Sequence, residues 1–541
     1  MAGRGVEARG RGKEVSAAVP RGCVNRAGKR QPSTGEPPRV VRLNGRALES
    51  RCGRKTPWRS FAPRMRFPLF APGASTARGS ALVTLIPSRA MMPLPRPPQV
   101  PSSSILGAFF EMARDPLAFM ESAPRHAPLV RVRIGTESLV FVAEPELVHT
   151  ILLGRASELV KDRITHKLNE TLGNGLLTSE GDFWRRQRKL MAPMFNRSHL
   201  TSYAATMIER TQGAGEAWSS GEVRDVHVDM MTLTLDIIMR TVFGAELQGD
   251  EGTEMGHAIE VMMENFELEL RTWRRFVPKS WLFLERRRLH AARSALDRIV
   301  GRLIAEKRAA GAKGDDVVSR LLSARSDDGS SMSDQQVRDE AVTMVVAGHE
   351  TTALVLTFAG RLLAEHHEVR AKLHAELDAV LGGRAPTLDD MPRLAFTKAV
   401  VLEAMRLYPP AYIIGRQVQA PLELGGYQLL AGDQLMVCMW YSHRSARWFD
   451  APLEFRPERW LDGLQDRLPD YVYMPFGGGP RICIGQHFAM MEAILCLAAL
   501  HQRWQWEGLP DQPWDLSPAV TLRPRRGWRA EVTARAAMAN V

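Results

Sequence analysis

Cys483 stands in the stretch FGGGPRICIG, residues 476–485, between two isoleucines and behind three glycines, a proline and an arginine. The residues that follow, QHFAMMEAILCLAALHQRW, carry apolar side chains at a helical period. The thiol therefore sits where a Gly-rich loop meets a helix N-terminus, and there the helix dipole and free backbone N–H groups favour a thiolate. Three chemistries fit such a cysteine. It can be a buried structural residue. It can share a zinc ion with His487, four residues on, although no CxxC or HxxxH supplies the other ligands. Or it can bind a haem iron. Glycines 477–479 would then let the backbone lie close to a flat macrocycle, Arg481 would meet a propionate, and Phe476 would shield the sulfur from water.

The stretch resembles the haem-binding signature FxxGxRxCxG of the cytochrome P450 family, with Phe476, Gly479, Arg481, Cys483 and Gly485 at the fixed positions. Three further motifs stand upstream in the family's order. AGHETT, 347–352, interrupts a long apolar helical run with a glutamate and two threonines. On its own it could be a polar contact bending a core helix, with a threonine hydroxyl on a backbone carbonyl. It also resembles the family's acid–alcohol pair. Ala347 and Gly348 would then leave room over the iron, Thr351 would offer its hydroxyl to the reacting oxygen, and Glu350 would link it to solvent protons.

EAMR, 403–406, places Glu403 and Arg406 one helical turn apart among Val400, Val401, Leu402, Met405 and Leu407. An ion pair in such company is buried, and buried charges must be paired. The resemblance adds Arg459, from FRPERW at 455–460, as a third member of a structural network that fixes the cysteine loop. FWRRQRKL, 183–190, could be a basic surface helix. In the family such a helix directs Trp184 and Arg188 to haem propionates, and Arg416 in AYIIGRQV does the same. The resemblance thus implies haem b, held by Cys483 on the iron and by Trp184, Arg188, Arg416 and Arg481 at its propionates. His443 reads as a satisfied structural histidine.

These residues need a scaffold. From about 145 to 410 helical periods dominate, at 198–216, 229–244, 254–270, 285–309 and 367–382. The longest runs from Ser333 to about Glu365, with Ser333 and Gln336 forming a capping box. LVRVRIG and LVFVA, 129–135 and 139–143, read as a strand pair, and so does the terminal VTLRPRRGWRAEV. The expected class is mainly α: the cytochrome P450 fold, with a large helical lobe, a long central helix and a small β-rich lobe. The resemblance covers residues 92–541, read as one catalytic domain.

The net charge of +12 is concentrated at the start of the chain. Residues 1–90 hold nineteen Lys or Arg against four Glu, with nine Pro and eleven Gly, and the rest of the chain is nearly neutral. This segment reads as a disordered basic tail, an organelle transit peptide, or upstream sequence translated ahead of a start at Met91 or Met92. Its Pro and Gly density speaks against the amphipathic helix of a transit peptide. Five scattered cysteines give no disulfide framework and point to a reducing compartment. No run of about 18 apolar residues is seen, and the nearest, ALVTLIP at 81–87, is too short to span a bilayer.

The resemblance implies a haem-thiolate monooxygenase that hydroxylates or epoxidises a small lipophilic substrate, such as a fatty acid, terpenoid or polyketide-like molecule. Electrons would come from NAD(P)H through a separate ferredoxin or flavodoxin and its reductase. The protein is expected to be a cytoplasmic monomer with no nucleic-acid partner and no membrane anchor. A peroxide-driven or isomerising haem-thiolate enzyme and a non-catalytic haem sensor are the alternatives; the first usually lacks the acid–alcohol pair that this chain has.

Overall fold

Ser333 starts the helix that organises the molecule. Its hydroxyl accepts from Gln336 N, and Gln336 Oε1 accepts from Ser333 N at 2.8 Å, so two of the four orphan donors at the helix start are satisfied. In this computed structural model, which describes residues 94–102, 107–135, 137–270 and 283–535, that helix is one of nine with eleven or more residues. They are α1 Gly181–Met191, α2 Arg197–Glu216, α3 Val226–Phe243, α4 Glu251–Leu270, α5 Phe283–Ala309, α6 Asp334–Glu365, α7 His367–Leu381, α8 Ala395–Leu407 and α9 Gln486–Arg503. The expectations for residues 1–90 lie outside the described residues. By its contacts the chain divides after Ser88, and Arg89–Val541 form one unit.

The 32 residues of α6 reach about 48 Å. The helix packs against α3, α8, α9 and, through its C-terminal half, the strand at Trp504–Gly508. Its apolarity corrects one expectation. Among the described residues α6 is long and apolar enough to cross a membrane, but 83% of its most apolar stretch is buried inside the protein. A helix apolar on all sides is what a central core position requires.

Among the described residues twelve strands form four small sheets. β1 Leu129–Ile134 and β2 Glu137–Val142 make the expected antiparallel pair, with Leu129 opposite Val142. They continue into a five-stranded sheet of order β1-β2-β8-β5-β3, where β3 is Leu159–Val160, β5 Ile413–Val418 and β8 Gln434–Cys438. β4 Glu222–Asp225, β12 Arg529–Ala534 and β9 Trp504–Gly508 form a second sheet in that order. β6 Leu422–Leu424 pairs with β7 Tyr427–Leu429, and β10 Leu516–Pro518 with β11 Leu522–Pro524. The terminal segment is therefore two strands but not a pair. β11 turns back onto β10, whereas β12 pairs with β4 and β9. The reason is packing: Ala530 and Val532 of β12 are buried in the helical core beside Trp506 and Trp528.

Candidate active site

Cys483 lies deep in the fold, yet its side chain is accessible, so the thiol faces an internal opening. Its backbone N–H donates to Phe476 O at 3.0 Å, which closes the loop ahead of α9. Burial pushes the thiol up from its ordinary value, while a hydrogen bond from the Gly485 backbone and the charge of Arg188 pull it down. One backbone donor and one guanidinium oppose the burial but do not outweigh it, so the fold by itself does not favour the thiolate as the loop–helix junction suggested.

The glycines of this loop face the protein rather than the opening. A Cβ on Gly479 (φ +65°) would run into the Leu152 carbonyl, and one on Gly478 into the Tyr471 ring. The expectation that 477–479 flatten the backbone against a macrocycle is therefore corrected at these two positions. They let the loop seat on its own support. Phe476 is half-buried and packs against the main core.

That support is the buried ion-pair network. Glu403 and Arg406, both fully buried on α8, meet through two hydrogen bonds of 2.9 Å. Glu403 also accepts from Arg459 Nε at 2.9 Å, Trp460 Nε1 at 2.8 Å and Arg456 N at 3.0 Å. Arg406 passes the order on: it donates to the carbonyls of His443 at 2.8 Å and Pro452 at 2.6 Å. His443 Nε2 in turn accepts from Met474 N at 3.0 Å, two residues before Phe476. Burial holds this imidazole down at about 3, so it is neutral and Nε2 is free to accept. The ring also meets the Met405 backbone, in keeping with a structural histidine.

α6 breaks its own burial at one place. Between Asp339 and Ala364 only Ala347, Gly348 and Thr351 are not buried. Ala347 and Thr351, one turn apart, present this accessible face. Gly348 serves a different purpose from the one expected, since a Cβ there would meet Ile238 Cδ1 of α3 at 2.8 Å. Thr351 Oγ1 donates to Ala347 O at 2.8 Å, the back-bond of a core threonine. Glu350 is buried and turned elsewhere: Oε1 accepts from Thr521 Oγ1 at 2.8 Å.

Four cations gather beside the loop. Arg481 lies over the ring of buried Trp184, Cζ 3.8 Å from its centroid, pairs with Glu180 and donates to Ser179 O at 2.9 Å. Arg188 donates to Ile482 O at 2.8 Å, which ties α1 to the cysteine loop. Arg416 of β5 is half-buried and bonds its neighbour's carbonyl, Gly415 O, at 2.7 Å. Lys161, which nothing in the sequence pattern marks, is the fourth. It is 8% exposed, and its Nζ bonds Leu177 O. Burial, then Arg481 and Arg416, push its ammonium down to about 7. Burial likewise lowers Arg481, to about 10. The carboxylates among them are Asp162 and Glu180. Three guanidiniums and the partly ionised Lys161 against two carboxylates leave an excess of positive charge in a low-dielectric site, an arrangement that suits an anionic ligand.

A deep-set but accessible cysteine, a gap in the burial of α6 and a cluster of cations beside the cysteine loop are features that a helical protein holding a dianionic macrocycle through a thiolate would need. The match to known sequences places the chain within that class of protein. The sequence profile described as Cytochrome P450 matches residues 95–527, and the chain belongs to the cytochrome P450 family. It is similar to cyclooctatin synthase of Streptomyces melanosporofaciens, 36% identical over 76% of this chain and 89% of that protein. It is 33% identical to cyclooctat-9-en-7-ol 5-monooxygenase of the same organism, over 76% of this chain and 89% of the relative. It is 32% identical to pentalenene oxygenase of Streptomyces avermitilis, over 80% of this chain and 96% of the relative. The fold is that of the family, the cofactor is a haem-thiolate, and the activity is that of a monooxygenase, which places one atom of dioxygen in its substrate.

Proposed function

We propose that this chain oxidises a terpenoid-like hydrocarbon or alcohol, by hydroxylation or epoxidation, with electrons delivered by a ferredoxin or flavodoxin and an NAD(P)H-dependent reductase. The observation that carries the substrate class is the likeness, over most of each chain, to relatives whose names give an alkene and an alkenol as substrates. The open face of α6 at Ala347 and the half-buried Ile413 and Ile414 on β5 offer such a molecule apolar contact.

Cys483 would hold the haem iron through its sulfur, and Arg188, Arg416, Arg481 and Lys161 would neutralise the propionates, with Trp184 holding Arg481 in place. Haem b bound there would supply dioxygen activation, promoted by the electron-rich thiolate. The Thr351 hydroxyl would be the near proton donor on the accessible face of α6, and the buried Glu350 carboxyl the acid that resupplies protons from the solvent side. The outer face of α1 supports the electron-transfer reading. Arg185, Arg186 and Lys189 of α1, the helix whose Arg188 meets the cysteine loop, line a groove with Arg320 and Arg325, and five cations there outnumber Asp327 and Asp328, of which Asp327 pairs with Lys189. A basic groove there suits an acidic electron carrier.

The test is a spin-state titration of the haem-loaded protein with cyclic terpene alkenes and alkenols, fatty acids and polyketide-like lactones. Product analysis with ferredoxin, reductase and NAD(P)H follows. Terpenes are expected to shift the Soret band and to gain one oxygen atom. A shift by fatty acids alone would overturn the substrate class. Turnover with peroxide but not with the redox partners would overturn the electron route.

A further inference from the structure

Glu350 and Thr351 are adjacent on α6, so their side chains diverge by about 100° and cannot face one another. The structure shows what Glu350 faces instead. Its Oε1 accepts from Thr521 Oγ1 at 2.8 Å and lies 4.0 Å from Arg523 Nη1. The other terminal nitrogen of Arg523 donates to Glu267 Oε2 of α4 at 2.8 Å, and Ser517 Oγ donates to Glu267 Oε1 at 3.0 Å. Three side chains of the β10–β11 hairpin thus join the buried acid to α4. Thr521 is as buried as the acid, at 7%, and exposure reaches 20% at Arg523 and 16% at Glu267, on the outer side of the hairpin. Burial raises the Glu350 carboxyl, and Thr521 and Arg523 pull it back.

We propose that the β10–β11 hairpin is the outer half of the proton path, with Thr521 passing protons from solvent to Glu350 and the Arg523–Glu267 pair pinning the hairpin so that Thr521 stays on the acid. This rests on the reading of Glu350 and Thr351 as the acid–alcohol pair. In the relay Thr521 Oγ1–H gives its proton to the Glu350 carboxylate while taking one from a hydronium ion on the solvent side, which becomes water, so the hydroxyl is neutral before and after. Thr521 is a positioning and relay residue, since it meets the acid and not the reacting atoms. The hairpin does not need its hydroxyl to stand: Tyr412 donates to Ala519 O at 2.6 Å, Ala519 N to Thr521 O at 3.0 Å and Leu522 N to Pro410 O at 2.9 Å.

The experiment compares wild type, Thr521→Val, Thr521→Ser and Thr351→Ala as full-length, haem-loaded proteins with redox partners. Product per NAD(P)H consumed and the solvent deuterium isotope effect on product formation are measured. The infrared vibration of the Glu350 carboxyl, assigned by its loss in Glu350→Gln, is recorded without turnover. Thr521→Val is expected to lower product per NAD(P)H about threefold to tenfold, the range spanned by one hydrogen bond. It should also enlarge the isotope effect and shift the carboxyl vibration, and serine should restore all three. Wild-type coupling in Thr521→Val, or an unshifted vibration, overturns the proposal. Full coupling in Thr351→Ala instead overturns the acid–alcohol reading on which it stands. Thr521→Ala removes the same hydroxyl in a smaller side chain and decides the matter if valine is not tolerated.

Discussion

At the scale of single residues, the thiol of Cys483 is costly to ionise by itself, because burial works against the thiolate. A bound metal reverses that balance. Cys483→Ser should therefore abolish the long-wavelength Soret band of the reduced carbon monoxide adduct, and a serine variant that keeps the band would remove Cys483 from the iron. Lys161 gives a second, independent handle. Its ammonium titrates at about 7 in the fold and at about 10.4 in an unfolded chain. Between those values the unfolded chain binds the extra proton, so in haem-free protein this group makes stability rise with pH across that window. Below about 7 both states are charged and the full cost of burying the ammonium is present. The thermal midpoint of haem-free wild type should accordingly climb relative to Lys161→Met from about pH 7 to about pH 10. With haem bound the two should run parallel, because two propionates supply the missing anions. Parallel curves without haem would show that Lys161 is not a buried cation.

At the scale of elements, α6 and α8 divide the work. On α8 the Glu403 carboxylate accepts from two guanidiniums, an indole and a backbone amide. Glu403→Gln leaves Arg406, fully buried, without its counter-charge, a loss of about 3–5 kcal/mol for a broken buried pair. The thermal midpoint should fall steeply, and the purified protein should carry little haem, since Arg406 reaches the cysteine loop through His443 and Met474. A variant with normal haem content and midpoint would make the network dispensable. On α6 the back-bond of Thr351 to Ala347 O is local and leaves the hydroxyl on the accessible face. Thr351→Ala is expected to bind haem and substrate as wild type does, yet to divert reducing equivalents to peroxide. Product formation should drop by about 10²-fold or more if the hydroxyl acts as the proton donor. Equal product per NAD(P)H in both proteins would return Thr351 to a purely structural part.

At the scale of the molecule, the family match spans residues 95–527, and the contacts divide the chain after Ser88. A chain beginning at Met92 should fold, take up haem and keep the thermal midpoint of the full-length protein, as circular dichroism and the Soret absorbance would report. Aggregation or loss of haem on truncation would make residues 1–91 part of the folding unit.

The features legible in the sequence were those set by local chemistry. The capping box of α6, the limits of the long helices, the β1–β2 pair and the four motifs depend on residues within a turn or two of one another, so spacing alone shows them. The sequence also marked Glu403 and Arg406 as a buried pair, because charges inside an apolar helical run have to be paired, and the family resemblance added Arg459. Tertiary structure decided what crosses between elements. Lys161 is an ordinary lysine until the fold buries it beside Arg416 and Arg481. Gly348 reads as room for a ligand until Ile238 of α3 is found against it. β11 and β12 read as partners until packing sends them to different sheets. Glu350 names itself as an acid in AGHETT, but its partner Thr521 lies 171 residues away. A hydrogen bond over that separation is chosen by how a hairpin docks on a helix, and no pattern along the chain records it.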